Sequence, residues 1–265
     1  SSDQGARKRY IIKQIKKHEM SAFLEWLPAY SRYVVAQGGR SLIQYLACHS
    51  MSLSWRCSGE VHFVVMRDFL PVPSWLTFDL KGAVVNRRAL AADMLHRIHA
   101  GEDPQSGPKW GTLRDWEWMD IAMACDISAE DKESLADMVC SDAEFLRSQR
   151  VVDYSLLVGL HRLPQGTPEV RAKRLEDLVR IGGYASRDRQ RVYFFGIIDS
   201  LERYTVDWQA QRFALASALC CVCRPTDADG ITALPPAEYA SRFVTFVLTE
   251  VLQLQAPDLA SRGVV

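Results

Sequence analysis

Val152-Asp153-Tyr154-Ser155-Leu156-Leu157-Val158-Gly159-Leu160-His161 places one carboxylate at the head of an apolar run that closes on Gly159 and His161. Its β-branched and aromatic content predicts a buried strand and not a helix. A charge left unpaired in such a setting costs on the order of several kcal/mol or takes up a proton. Asp153 therefore either faces a cleft, where it meets a cation, a metal or a substrate hydroxyl, or caps the turn before a core strand. This stretch alone leaves both readings open.

A second run bears on that choice. Val192-Tyr193-Phe194-Phe195-Gly196-Ile197-Ile198-Asp199 is again apolar and β-prone, with its only acid at the end, where a strand leaves the core. Mg²⁺ is commonly held by one or two carboxylates together with phosphate oxygens, so two acids at strand ends suit a nucleotide–metal site.

Composition sets the bounds. The 265 residues are 48% hydrophobic and 24% charged, enough for a substantial core in one bilobal unit or two domains. Thirty-two basic and thirty-two acidic residues cancel. No global field then draws the chain to nucleic acid or to an anionic membrane, and any such attraction must be local. The seven cysteines are odd in number and mostly scattered, which predicts a reduced, cytoplasmic protein. Cys220-Cys221-Val222-Cys223 has no paired Cys/His cluster after it and does not read as a metal site. No apolar stretch approaches the ~20 residues that span a bilayer, so membrane contact is expected to be peripheral.

Along the chain, residues 9–15 predict a strand in which Lys13 projects opposite Ile12, either as a surface lysine or as a phosphate ligand. Glu19 to Gln37 predicts a helix, interrupted at Pro28 and ended by Gly38-Gly39. Glu19 either pairs with Lys13 or serves the helix's first turn. Ser41–Cys48 and Glu60–Met66 predict strands with a polar link at 50–59. Asp79 and Lys81 fall two residues apart on one strand face, where a mutual surface ion pair is the simple reading. Residues 98–113 read as a loop, with Trp110, Trp116 and Trp118 as buried anchors at its end. Ser128 is the expected N-cap of an amphipathic helix reaching Gln149, with Leu135, Met138, Val139, Phe145 and Leu146 as its core stripe. Pro164–Gln190 reads as a charged, solvated excursion, and Pro235-Pro236 as the start of a final helix through Val251.

The run AEFLRSQRVVDYSLLVGLH (143–161) together with VYFFGIID (192–199) resembles the paired signatures of phosphatidylinositol phosphate kinases. Further landmarks fall in that family's order: Tyr10-Ile11-Ile12-Lys13, Leu27-Pro28-Ala29-Tyr30, Phe63-Val64-Val65-Met66, Asp79-Leu80-Lys81-Gly82, and the segment from Pro235 to Phe243. The resemblance implies an α+β, two-lobed lipid-kinase-like fold. Residues 1–66 would form an N-lobe of antiparallel sheet plus helix, and 67–265 a mixed C-lobe with an activation-like loop at 200–234.

It implies ATP and Mg²⁺ as cofactors and a phosphoinositide lipid at a peripheral membrane surface as substrate. Lys13 and Lys81 would contact ATP phosphates, and Val65, Met66 and Arg67 would form the hinge that receives adenine. Asp153 would orient or deprotonate the attacking hydroxyl, with Asp199, joined by Asp153, as metal ligand. Thr112-Leu113-Arg114-Asp115 resembles a further segment of the family, with arginine in place of its lysine. Flanking domains or a homodimer would be compatible partners.

The chain departs from the family in two places. Only a short polar tail containing Gly5 precedes Tyr10, where the family has a glycine-rich loop, so the chain is expected to be a fragment or to lack that clamp. In the activation-like loop Trp208 and Gln209 stand where the family carries a lysine pair, and Gln211 stands at the substrate-selecting position. Ala83 likewise replaces the usual serine. Two function classes follow. One is a phosphatidylinositol phosphate kinase giving a bisphosphate; the other is a catalytically weak, kinase-like interaction module. A protein kinase is disfavoured, since no His-Arg-Asp segment occurs and Val158 stands where an asparagine would follow the catalytic aspartate.

Overall fold

The strand behind Asp153 is paired on both sides. β4 (Leu76–Leu80), β5 (Ser155–Arg162), β6 (Tyr184–Ala185) and β7 (Arg191–Ile198) form an antiparallel sheet in the order β4-β5-β7-β6. β1 (Tyr10–Ile15), β2 (Tyr45–Leu53) and β3 (Gly59–Arg67) form a second antiparallel sheet, ordered β1-β3-β2. The computed structural model describes residues 10–53, 59–83, 87–89, 92–100, 111–121, 125–205 and 234–263. With helices against both sheets the architecture is α+β, as expected.

α1 (Lys17–Ala36) lies along the first sheet and buries Met20, Phe23, Trp26 and Tyr30. The helix continues through Pro28 without interruption, where the sequence predicts a break. Glu19 turns back to accept the Lys16 amide at 2.6 Å, so it serves the helix start and is not engaged with Lys13. β2 begins four residues later than Ser41 and runs through the expected polar link as far as Leu53. The shift has a cause: Asp142 takes the Leu42 amide at 2.6 Å and Ser41 Oγ takes the Ile43 amide at 3.0 Å, which withdraws that segment from the ladder.

α2 (Ala92–His99) and α3 (Asp115–Asp120) follow the second sheet's first strand, and α4 (Ala129–Ser148) starts as predicted, with Ser128 Oγ accepting the Asp131 amide at 3.0 Å. The predicted stripe is its buried face, with Met138 at the margin. The expected excursion at 164–190 instead holds α5 (Pro168–Arg180) and β6. Thr167 with Pro168 at the first helical position marks that start, and Leu175 and Leu178 pack under it against Val192 and Phe194 of β7. α6 (Pro236–Phe246) passes into a π-helical turn at Val247–Val251, and α7 (Ala256–Ser261) follows, so the Pro235-Pro236 helix is not the last. Trp118 is buried and donates to Glu250 O at 3.1 Å, whereas Trp116 lies at the surface beneath Arg88; Trp110 is outside the described residues.

One continuous core joins the sheets, from Ile15, Val64 and Met66 through Tyr45 and Phe145 to Leu156, Val158 and Ile197. The Ile197 amide donates to Leu42 O at 2.9 Å and Tyr45 Oη meets Ser200 Oγ at 3.0 Å, both buried ties across the junction. The segment leaving β3 crosses the second sheet where two glycines open its surface. A Cβ on Gly196 would lie 2.2 Å from the Phe69 ring, and one on Gly159 2.2 Å from Leu70 Cδ2. Only glycine admits the segment there.

Candidate functional site

Register brings the predicted acids to one end of the second sheet. Ser155 pairs with Ile198 and Leu80 with Leu156, so the residues just beyond these strand ends, Asp153, Asp199 and Lys81, gather on one edge. Each acid is held by its neighbours. Asp153 stands between the fully buried Val152 and Tyr154. The Val152 amide donates to Glu202 O at 2.9 Å, and the Tyr239 hydroxyl of α6 donates to Tyr154 O. Asp199 is followed by the buried Ser200, which is tied to Tyr45 in the first sheet.

Both acids adopt left-handed backbone, with φ of 64° at Asp153 and 60° at Asp199. Asp enters this region more readily than most residues, yet at a cost of roughly 1 kcal/mol, and paired outliers at one edge mark a position where placement outweighs comfort.

Two lysines meet these acids. Lys81 Nζ lies 2.5 Å from Asp153 Oδ1, and its side chain is only 11% exposed. Lys13 Nζ bonds Asp199 Oδ1 from the other sheet; in β1 it lies opposite the buried Val64, on the face that Ile15 continues into the core. Lys81 and Asp79 thus do not pair with each other as the simple reading had it. Arg87 Nη2 approaches Asp79 Oδ1 at 3.3 Å and also bonds its carbonyl. Burial acts to lower the Arg87 pKa, but the charges of Asp115 and Asp79 outweigh it and raise the pKa above its ordinary value. Burial, and then the charge of Asp153, pushes the Tyr239 hydroxyl well above its ordinary value, so it serves as a fixed donor.

Asp115, at the start of α3, enters the sequence reading only as part of the Thr112–Asp115 segment and is given no role there. Fully buried, it accepts the amides of Lys81, Gly82 and Ala83 at 2.9, 2.7 and 3.3 Å on one oxygen, and Arg87 Nε at 2.7 Å on the other. Glu117, also fully buried, holds the Ala89 amide at 2.8 Å. Gly82 has φ of 67°, and a Cβ there would stand 2.9 Å from Phe246 Cβ and 3.1 Å from Arg242 O. α3 and α6 therefore grip the Lys81 turn from two sides.

Val65, Met66 and Arg67 close β3 directly after Val64, the cross-strand partner of Lys13, and take no part in the two lysine–carboxylate ion pairs. Met66 is buried in the core, Val65 pairs with Ile12 on the sheet face away from Lys13, and Arg67 donates to Ile181 O at 3.0 Å. A cavity of about 270 Å³ opens behind this segment, lined by Arg40, Leu42, Arg67, Phe69, Met138 and Tyr184. None of Lys13, Lys81, Asp153 and Asp199 lines it, so this cavity is separate from the charged cluster. Trp208, Gln209 and Gln211 lie outside the described residues.

Asp153 and Asp199 offer hard carboxylate oxygens, the donor type Mg²⁺ takes, and the lysines offer ammonium groups suited to phosphate. The residues present fit both groups.

The chain resembles known proteins along most of its length. A family model described as Phosphatidylinositol-4-phosphate 5-Kinase matches residues 5–177 and 167–250. Phosphatidylinositol 4-phosphate 5-kinase of Plasmodium falciparum (isolate 3D7) is 24% identical over 264 residues, which cover 90% of this chain and 14% of that protein. Phosphatidylinositol 4-phosphate 5-kinase 6 of Arabidopsis thaliana is 25% identical, over 90% of this chain and 38% of its own length. Human phosphatidylinositol 5-phosphate 4-kinase type-2 gamma is also 25% identical, over 89% of this chain and 63% of its own length. The chain spans less than two thirds of each of these relatives. With the match running across both signature strands and all four charged residues of the cluster, the chain belongs to this family of phosphatidylinositol phosphate kinases.

Proposed function

We propose that the chain transfers the γ-phosphate of ATP to an inositol hydroxyl of a phosphatidylinositol monophosphate, giving a bisphosphate. The observation that carries this reading is the meeting of Lys13, Lys81, Asp153 and Asp199 at one sheet edge, two cations and two acids drawn from four separated stretches of sequence. An interaction scaffold has no need to keep four charges on a strained edge.

In this reading Lys81 and Lys13 turn from their carboxylates to hold phosphate oxygens. Asp153, fixed between Val152 and Tyr154, accepts the proton of the attacking hydroxyl. Asp199, with Asp153, holds Mg²⁺, which when bound offsets the charge on the transferring phosphate. Phosphoryl transfer needs mainly positioning and charge stabilisation, and a rigid edge tied to both sheets supplies the first.

We further propose a two-lobed fold, with residues 1–66 as one lobe, 67–265 as the other, and the adenine received near Val65–Arg67. No helix among the described residues is long and apolar enough to cross a membrane. The lipid substrate, in this reading, is reached peripherally from the cytoplasm. Choice of phosphoinositide is assigned to the loop bearing Trp208, Gln209 and Gln211.

The test is incorporation of labelled phosphate from ATP with Mg²⁺ on vesicles carrying each phosphatidylinositol monophosphate in turn. The wild type is run beside Asp153→Asn and Asp199→Asn. Labelled bisphosphate from the wild type and from neither variant is expected, and the productive vesicle names the substrate. No product in any lane, with no thermal stabilisation by ATP and Mg²⁺, would leave the interaction module as the better account.

A further inference from the structure

Three successive amides, those of Lys81, Gly82 and Ala83, converge on Asp115 Oδ1 at 2.9, 2.7 and 3.3 Å. A run of amides around a left-handed residue is an anion-binding concavity, the kind of turn that elsewhere cradles phosphate. Here the concavity is filled from within. Its occupant is fully buried and is neutralised on its other oxygen by Arg87, itself almost wholly buried. The turn therefore has no amide to spare for a ligand, and its only outward reach is the Lys81 side chain. That side chain leaves a backbone which Asp115 fixes at three consecutive residues, and it ends 2.5 Å from Asp153.

We infer that Asp115 is a positioning residue for Lys81: an internal carboxylate, standing where a phosphate would otherwise sit, that shapes the turn and aims the lysine at the reacting edge. The Asp115–Arg87–Asp79 chain extends the device, since Arg87 bonds both the Asp79 carbonyl and the Asp115 carboxylate and so ties the end of β4 to α3. The inference rests on the kinase reading for its consequence in turnover, but not for the placement of Lys81, which can be read without any substrate.

Asp115→Asn keeps size and removes the charge. In the intact chain without ligand, lysines are acetylated by a limiting amount of an N-hydroxysuccinimide ester and quantified residue by residue by mass spectrometry. Lys13, 38% exposed and held by Asp199, is the internal reference against Lys81, 11% exposed. The expected result is a rise of about fivefold or more in the Lys81 rate relative to Lys13, as the lysine loses its fixed partner. General loosening would raise both together and would overturn the assignment, as would an unchanged ratio.

In the lipid assay the folded variant is expected to lose about tenfold or more in kcat, and its melting temperature to fall, since Arg87 is left buried without its counter-ion. A wild type that phosphorylates beside a variant of equal kcat overturns the positioning role, whereas a wild type without activity overturns the kinase reading and leaves the labelling ratio to decide placement. If Asp115→Asn fails to fold, Gly82→Ala strains the same turn from the α6 side with Asp115 intact; the same rise in the ratio is expected, and its absence refutes the inference.

Discussion

Replacing Asp142 with asparagine should make the protein more stable at neutral pH. Asp142 lies on α4, 1% exposed, and accepts hydrogen bonds from the Tyr33 hydroxyl of α1 at 2.5 Å, from Ser41 Oγ at 3.1 Å and from the Leu42 amide at 2.6 Å. Burial raises its pKa, the hydrogen bonds pull the other way, and burial wins, leaving the carboxyl at about 6 against an ordinary 3.8. The folded state then binds this proton more tightly than the unfolded chain. Its contribution to stability is fully present below the unfolded value and is lost as pH rises through the window from about 4 to about 6. About two pKa units at ~1.4 kcal/mol each make that loss about 3 kcal/mol.

Asparagine carries no charge to desolvate. Its carbonyl can take the Leu42 amide while the hydroxyls of Tyr33 and Ser41 turn to accept from its amide. Urea unfolding of wild type and Asp142→Asn at pH 4.5, 6.0 and 7.5 reads the difference. The variant should match the wild type within about 1 kcal/mol at the lowest pH and exceed it by about 2–3 kcal/mol at the highest. A wild type that is the more stable at pH 7.5, or two proteins with parallel pH profiles, would show that the charged carboxylate is favourable where it stands and would refute the argument.

Gly196→Ala should lower the melting temperature by about 5 °C or more, since a Cβ at 2.2 Å from the Phe69 ring must displace the segment after β3 and overpacking of this kind costs ~1–3 kcal/mol; an unchanged melting temperature would mean that this segment shifts freely. Lys13→Met should leave the melting temperature within about 2 °C, because a pair with side chains 38% and 46% exposed contributes under ~1 kcal/mol, while turnover of the lipid substrate falls by about a hundredfold or more. A large fall in stability without that loss of turnover would assign Lys13 to structure alone.

Much of this was legible in the residues themselves, and the failures share a cause. The strands before His161 and before Asp199, and the Ser128 helix, are announced by local signals: apolar runs, a capping hydroxyl, a stripe at helical spacing. α5 carries such signals too, in Thr167 and Pro168, but its charged outer face masked the two leucines that bury it. The late start of β2 has no local signal, because it follows from Asp142 taking the Leu42 amide from 100 residues away. The same holds at the site. Asp153 and Asp199 stand out as the lone acids of two apolar runs, whereas Lys13 and Lys81 take their roles from resemblance to a family, and periodicity could not have joined the four. Asp115 stands 32 to 34 residues from the amides it holds, and its spacing within its own helix says nothing of them.

The two ion pairs at the edge bear on how any charged ligand could enter. Lys81 and Lys13 each direct an N–H to the carboxylate beside it, that of Asp153 and that of Asp199, so a phosphate drawn to either lysine must share its ammonium or release the acid. A carboxylate so released needs another cation, more urgently at the less exposed Lys81–Asp153 pair, whose side chains are 11% and 31% exposed. On the proposed reading, phosphate on the lysines and metal on the acids would offset one another, and either alone would leave less compensated charge on a partly buried edge. Both carboxylates also stand on left-handed backbone, at Asp153 and Asp199. Asparagine tolerates that conformation as aspartate does, so an Asp→Asn variant removes charge without altering strain, whereas alanine would add about 1 kcal/mol of backbone cost and blur the cause of any lost activity.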